Sequence, residues 1–525
     1  MAVAINCRGN LLPEKLHLHK SIKVNKKNSF LHINILMRIN NKIHNQQKTN
    51  SDIMRINKHL LAIALLAASI PALAQTIPSY PDDRESLKEM HDFSVWVNNK
   101  KAPTYQCQVN PNRRVQDASW CQFGIDDKAT VRVVYHKEKI EHAIVRPLSK
   151  DIRHTMINDS TLQFDIPKVC NNRGYSLSVE INGDRQHNLH VFVDGPELYV
   201  PAKPSPDSKD SILWETINNH DVFVQNPKLI YFGPGIHKPK DLPSGEIKIP
   251  SNSTVYIAPG AIVRARLIVD HAENVRIIGR GVLLNPLRGV EITYSKNVIV
   301  DGLTVINPLH YTVFGGQSDG IVIRNVRSFS RHPWSDGIDM MCCRNVTVED
   351  VFLRNNDDAF ALYNHRWWYW GGSENYQIRR ATIFSDLARP FNLGGHGDDR
   401  ADVGEVLKNV RGEDCDVLSA DGNGIFQINT GDQNIVEDIH FDNIRIEDVI
   451  TARLFNLQPV FSSKYNRCPG GCIRNISFSN ITFTGDESKL KESIFHNYDA
   501  ERTVSNVKFR NIVVNGKKVK FKDID

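Results

Sequence analysis

Three aspartates stand out as residues able to do chemistry together. Asp336 lies in Trp334-Ser335-Asp336-Gly337-Ile338-Asp339, and Asp357 and Asp358 lie in Asn355-Asn356-Asp357-Asp358-Ala359-Phe360. The two segments are separated by about one turn of a β-solenoid of roughly 20–25 residues per coil. Wound that way they stack, and neighbouring strands lie about 4.8 Å apart. Three carboxylates then converge on one small patch. Anions this close repel, and at least one pKa rises. An acid and a base become available at one pH, which is what hydrolysis of a sugar bond needs.

Asp357 and Asp358 are adjacent, and on a regular strand they would point to opposite faces. Burying one of them in an apolar core would cost several kcal/mol, so a bend that turns both outward is expected. Asp339, three residues after Asp336, competes for the same groove. His396, in Gly395-His396-Gly397, is placed to hydrogen-bond the carboxylates and tune their protonation. Trp367-Trp368-Tyr369-Trp370 follows the aspartate pair and precedes Gly371-Gly372. Such a cluster can wall a cleft and stack on sugar rings. Trp334 and Arg389 are further candidates for that cleft.

The elements that must position these residues are short and β-rich. From about residue 228 a pattern recurs: Glu273-Asn274-Val275-Arg276-Ile277, Lys296-Asn297-Val298-Ile299-Val300, Asp319-Gly320-Ile321-Val322-Ile323 and Arg344-Asn345-Val346-Thr347-Val348. Later copies include Glu374-Asn375-Tyr376, Arg474-Asn475-Ile476 and Ser505-Asn506-Val507. No amphipathic helix separates them. Repeats of this period without helices predict a parallel β-helix over 228–525, with Val, Ile and Phe inward. The repeated Asn is assigned to turn chemistry, with a side-chain ladder as its consequence. Residues 75–200 read instead as short alternating strands, such as Phe93-Ser94-Val95-Trp96-Val97 and Thr130-Val131-Arg132-Val133-Val134. Their spacing predicts a β-sandwich, joined through a linker at 201–227. The fold class expected is all-β, a sandwich followed by a parallel β-helix.

Ahead of this lies a basic start, Met54-Arg55-Ile56-Asn57-Lys58, an apolar run from Leu60 to Ala68, and Ala72-Leu73-Ala74. These predict a secretory signal peptide over 54–74, too short for the roughly 20 residues a membrane span needs. Residues 1–53 read as a non-native upstream extension. The segment 1–74 carries 11 Lys or Arg and 2 Asp or Glu, a net of +9, whereas the whole chain is +6. The remainder is therefore −3, and the overall basicity is no argument for nucleic-acid binding. A secreted or periplasmic monomer with no membrane span is expected. Among nine cysteines, Cys468 and Cys472 could close a small disulfide loop, and Cys107, Cys121 and Cys170 could include another pair. No zinc-type spacing of two Cys pairs occurs, and no metal or cofactor is called for.

The motif set Ser335-Asp336-Gly337, Asn356-Asp357-Asp358 and Gly395-His396-Gly397 resembles glycoside hydrolase family 28, the polygalacturonases. The layout of sandwich plus β-helix resembles family 49, the dextranases and isopullulanases. Tyr256-Ile257-Ala258-Pro259-Gly260-Ala261 is similar to that family's lead-in to the helix, and Val351-Phe352 through Ala359 with Arg380-Ala381-Thr382-Ile383-Phe384 to its active-site coils. The resemblance implies a right-handed β-helix and hydrolysis of a polysaccharide or oligosaccharide with inversion. By it, Asp357 would be the general acid, and Asp336 and Asp358 would activate the water. Inversion usually separates acid and base by roughly 6.5–9.5 Å. Family 28 grips its uronate with an Arg-Ile-Lys segment. The comparable stretch here is Gly424-Ile425-Phe426-Gln427-Ile428-Asn429, so Gln427 and Asn429 imply a neutral α-glucan such as dextran.

Two other classes stay open from the residues. A β-helix lyase cleaves by elimination with calcium and a basic group, and the sequence places no Arg or Lys with the three aspartates. An adhesin-like β-helix would bind glycan without turnover. For the leader, N-terminal sequencing of exported protein should find a start near Gln75; an exported chain retaining Met1 would refute the signal-peptide assignment.

Overall fold

The computed structural model describes residues 75–85, 87–169, 173–214, 226–238, 245–400 and 402–525. The upstream extension and signal peptide, Cys170 and part of the expected linker lie outside these residues. No helix among the described residues is long and apolar enough to cross a membrane.

Strands between Gln75 and Asp194 form two sheets, one of six strands and one of five. Alternation explains them. In Phe93–Val97 the odd residues are buried and the even ones partly exposed, the signature of a strand with one face on a core. Val95, Val131, Val133, Phe123, Leu177 and Val191 fill the space between the sheets.

The β-helix starts earlier than the sequence suggested. Ser211–Trp214, inside the stretch read as linker, pairs in parallel with Leu229–Phe232 as its first rung. Each coil up to the one ending in Phe391–Gly394 then contributes three strands. Val275, Val298, Ile321 and Val346 stack in register, in steps of 23, 23 and 25 residues. Ten short strands, from Glu246–Lys248 to Ile494–Phe495, form the ladder that carries the aspartates. The other two ladders join because the strand Val406–Ala420 runs through both. Inward Phe360, Phe391, Phe426 and Phe455 stack with centroids 5.6 Å apart at each step. The turn asparagines Asn252, Asn274, Asn297, Asn345, Asn375 and Asn409 all take positive φ. Their side chains bond rung to rung, as from Asn274 Nδ2 to Asn252 Oδ1 at 3.0 Å and from Asn375 Nδ2 to Asn345 Oδ1 at 2.9 Å. Asn tolerates this left-handed backbone better than most residues. Beyond Val514 the chain reverses, and Lys517–Val519 pairs antiparallel with the last long strand, Val504–Val514.

Neither of the possible disulfides forms among the described residues: Cys107, Cys121, Cys468 and Cys472 are free thiols. Cys107 packs with Trp120 toward the β-helix, whereas Cys121 packs in the sandwich core. Their side chains leave opposite faces of one sheet and cannot meet. The Cys472 thiol lies 3.1 Å from the Glu501 carbonyl instead.

A third apolar cluster joins sandwich and β-helix. Trp120 and Phe192 pack on Ile306, Phe329, Phe352 and Phe384, which face out of the helix. Buried ion pairs surround it. Asp194 meets Arg327 at 2.5 Å and Arg280 at 3.4 Å, and Arg354 meets Asp386 at 3.2 Å and donates to Asn188 at 2.6 Å. Burial pushes the Asp194 pKa up, but Arg327 and Arg280 outweigh it, and the net shift is downward. Asp194→Ala leaves the buried Arg327 guanidinium without its anion and takes one of two from Arg280, which keeps Asp301 at 3.4 Å. It should cost about 3–5 kcal/mol, read as a lowered Tm at pH 7; a Tm within a degree of the parent would contradict that reading. Because a depressed carboxylate stabilises above its unfolded pKa, the parent's extra stability should fade as pH falls through the acid range.

Candidate active site

The ten-strand ladder places the aspartates. Ile338 pairs with Phe360, Phe360 with Phe391, and Phe391 with Phe426. Just ahead of the first two of these strands, the backbone bends at Gly337, and at Asn356, Asp357 and Ala359. The bends break the two-residue alternation, so both members of the pair face the groove. Gly337 is required for close approach: a Cβ there would lie 2.5 Å from the Ala359 carbonyl.

A buried polar floor fixes the two turns to each other. Asn355 Nδ2 lies within bonding distance of Thr312 Oγ1 (3.3 Å), Ser328 Oγ (3.1 Å), Ser330 Oγ (3.1 Å) and the Ser335 carbonyl (3.2 Å). Ser330 Oγ also accepts from the Asn356 backbone N–H at 3.1 Å and from Ser335 Oγ at 2.8 Å. The Trp334-Ser335-Asp336 turn and the Asn356-Asp357-Asp358 turn are thus locked one above the other.

One carboxylate oxygen from each of Asp336, Asp357 and Asp358 lies within 4.8 Å of the others. Asp336 is 5% exposed and Asp358 3%. The trio is tighter than the separation expected for inversion. Its members differ in environment. Asp358 accepts from the Arg389 backbone N–H at 3.0 Å and from Asn392 Nδ2 at 2.6 Å, and the Arg389 guanidinium lies 3.4 Å away. Asp357 accepts from the backbone N–H groups of Asp358 at 3.0 Å and Trp334 at 3.3 Å. Burial, then Asp358, raise the Asp357 pKa to about 6. No hydrogen bond reaches the Asp336 carboxylate among the described residues; burial, then Asp357, push its pKa well above the carboxylate range. These protons belong to the trio as a coupled set. As three oxygen donors, the same residues could also hold a hard divalent cation.

Asp339 sits in the outward row formed by Phe314, Asp339, Ala361, Asn392, Gln427 and Asn456. It is 0% exposed, and neither oxygen makes a well-formed hydrogen bond. The Tyr311 hydroxyl and Arg366 nonetheless face it closely enough to pull its pKa down. Burial wins, and the value reaches about 7. Gln427 is tied into the same floor: its Oε1 accepts from Arg389 Nε and Asn456 Nδ2, both at 3.3 Å, and its Nε2 donates to Asn392 at 3.1 Å. Asn429 faces outward two residues on, with its Oδ1 buried and unbonded.

The remaining candidates fall into two groups. Trp334 and Trp368 are 49% and 60% exposed, and Trp367 lies beside Trp368 with the rings 5.8 Å apart. Tyr369 is not a surface platform. The Arg366–Tyr369 bridge turns it inward, where it packs on Phe314 at 5.6 Å and is 3% exposed. Trp370 spends its ring on His365 at 3.6 Å and the Arg400 guanidinium at 4.0 Å. His396 makes no hydrogen bond to any of the three carboxylates. It packs edge-on against Tyr363 at 4.9 Å, whose hydroxyl accepts from Asn392 at 3.0 Å. Burial, then Arg366, depress its pKa to about 3, so it stays neutral.

Cations do stand by the trio, contrary to the sequence reading. Arg389 is paired with Asp358. Arg366, whose guanidinium lies over Tyr363 at 5.2 Å and Trp367 at 5.0 Å, is drawn toward Asp339 and Asp336. Arg366 comes from an irregular loop with no periodic signal. Asn392 and Asn456 did carry one, since each follows an inward Phe by one residue, as Gln427 does.

Asp339 gives a test of these electrostatics. Its raised pKa means that it stabilises the fold below about pH 4 and that this contribution is lost as pH rises through about 7. Asp339→Asn should therefore raise stability at pH 8, by at most on the order of 4 kcal/mol, and change little at pH 4. Equal effects at both pH values in thermal melts would contradict a protonated buried Asp339.

The family model for glycosyl hydrolases family 28 matches residues 266–524. A probable polygalacturonase from Vitis vinifera is 25% identical over 158 residues, 29% of this chain and 31% of its own. A dextranase from Talaromyces minioluteus is 22% identical over 412 residues, 66% of this chain and 60% of its own. The chain thus spans less than two thirds of either relative. Dex49A from Penicillium minioluteum shares the fold, with a TM-score of 0.60 at 16% identity, over 84% of this chain and 92% of that one. Residues 266–524 are thus similar to glycosyl hydrolases family 28, and the chain has the fold of Dex49A.

Proposed function

We propose that this chain is a secreted glycoside hydrolase that cuts O-glycosidic bonds of a polysaccharide by inversion. The observation that carries the reading is the trio of carboxylates on adjacent coils, two of them held protonated into the mildly acidic range. Asp357 is the member nearest solvent and keeps its proton to about pH 6, which suits it to protonate the leaving oxygen. Asp358 is held by Arg389 and Asn392 and suits the base that deprotonates the attacking water, which the protonated Asp336 beside it helps to hold. Inversion rests on the resemblance of the motifs, because the trio is more compact than the usual inverting pair.

The substrate proposed is a neutral α-glucan such as dextran. The outward row beside the trio carries three amides in succession, Asn392, Gln427 and Asn456, and the nearby Arg389 and Arg366 face carboxylates of the site itself. A second reading, a uronan, is favoured by Lys464, whose ammonium lies at the exposed rim over Trp334 at 5.2 Å.

Purified protein incubated with dextran and with polygalacturonate should release reducing ends faster from dextran, compared as kcat/KM. A preference for polygalacturonate would select the uronan reading, and an unsaturated product would select elimination. Asp357→Asn should lose about 10²–10⁴-fold in kcat, and early products followed by NMR should carry the inverted anomer. A near-normal kcat in that variant, or a retained anomer, would defeat the assignment.

A further inference from the structure

The loops around the trio bear on where along a chain the cut is made. Strands of the ten-strand ladder run across the groove. The aspartates lie at the leading edge of their strands, and the long loops 364–372, 395–405 and 460–472 leave from the trailing edge. A groove that binds the middle of a polysaccharide must be open at both ends along the helix axis.

Loop 460–472 follows the strand Phe455–Pro459 and folds back over earlier coils. Its base is fastened firmly. Asn466 Nδ2 donates to the Gly395 carbonyl at 2.7 Å and to Asp432 at 3.0 Å, and the Arg467 backbone N–H donates to Asp432 at 2.6 Å. Asn466 and Asp432 are both buried. Its tip reaches further. Tyr465 lies against His396 at 6.4 Å, and Lys464 Nζ lies over the Trp334 ring at 5.2 Å and that of Tyr465 at 4.6 Å.

Trp334 belongs to the leading edge of a coil four rungs earlier, counted through Ile338, Phe360, Phe391, Phe426 and Phe455. Four rungs are about 19 Å at the usual strand spacing. A loop from the trailing edge therefore meets a turn from the leading edge, and they meet beside the trio: the Trp334 backbone N–H bonds Asp357 itself. On the other side of the trio, Trp367 folds back over Tyr311 and Phe314 at 6.3 and 6.0 Å, and Trp368 stands exposed beside it as an aromatic platform.

We propose that loop 460–472, meeting Trp334, ends the groove just past the trio, so that the enzyme accepts a chain end and releases short units from it. The body of the substrate lies over the earlier coils, beside Trp367 and Trp368. Lys464 and Tyr465 then determine specificity by position along the chain and take no part in the chemistry. This rests on the hydrolase reading above.

The test uses the full chain on dextran and on polygalacturonate, following reducing ends, viscosity and product size in the same early samples. Mono- or disaccharide should dominate from the first time point, with little loss of viscosity per bond cut. The double variant Lys464→Ala/Tyr465→Ala, checked for an unchanged melting curve, should lose several-fold more viscosity per bond cut and yield longer first products. A parent enzyme that yields a broad ladder of oligomers with early viscosity collapse overturns the proposal while leaving the hydrolase reading intact. A parent that is end-acting, with a folded double variant of identical product pattern, overturns the role given to the loop. No hydrolysis of either polymer overturns the hydrolase reading and this proposal with it.

Discussion

The constraint on which everything else depends is the parallel register between coils. Each rung repeats the one before at the strand spacing, with an apolar residue inward at the same position. The Val275, Val298, Ile321, Val346 column and the Phe360 to Phe455 stack are two expressions of it. Because inward positions repeat, outward ones repeat too. Two short turns from consecutive coils are then brought to within bonding distance without any interaction between the carboxylates themselves. The repulsion among Asp336, Asp357 and Asp358 is imposed by a scaffold whose stability lies elsewhere.

That separation of tasks has a cost that the local structure offsets. Three carboxylates in a largely buried patch would not all stay ionised. One is held by Arg389 and Asn392, and two keep protons. Beneath them the Asn355, Ser328, Ser330, Ser335 floor supplies hydrogen bonds to the turns rather than to the carboxylates. The turns are rigid, while Asp336 is left without a bonding partner among the described residues. A preorganised shape with an unsatisfied reactive group is what a site needs in order to bind a water or a hydroxyl in its place.

Much of this was legible in the sequence, and the reasons are particular. The repeat showed in Asn-Val and Asn-Ile steps because one turn position demands a residue that tolerates positive φ. The aspartates showed because their spacing matched the coil. The bend at Asn356–Asp357 followed from the cost of burying a carboxylate. What was not legible depends on irregular backbone or on partners far apart in sequence. Arg366 and Lys464 sit on loops whose path no period describes. Tyr369 sits in a run of aromatic residues that gives no hint of which ring turns inward. The first rung at Ser211–Trp214 carries too little pattern to be separated from a linker. Cys107 and Cys121 looked like a possible pair until the sheet assigned them to opposite faces.

A stack of identical rungs has no natural length, and its last rung offers bare backbone donors and acceptors to anything that can extend it. Here that rung is Val504–Val514, and the returning segment Lys517–Val519 lies against it in the opposite direction. Phe521 covers Phe509 and Phe455 at the open end of the core, at centroid distances of 5.2 and 5.1 Å. A strand running the wrong way cannot seed another parallel coil, and the lysines at 517, 518, 520 and 522 surround it with like charge. The reversal at the end of the solenoid therefore acts as a terminator, which keeps a shape suited to polymerising from doing so.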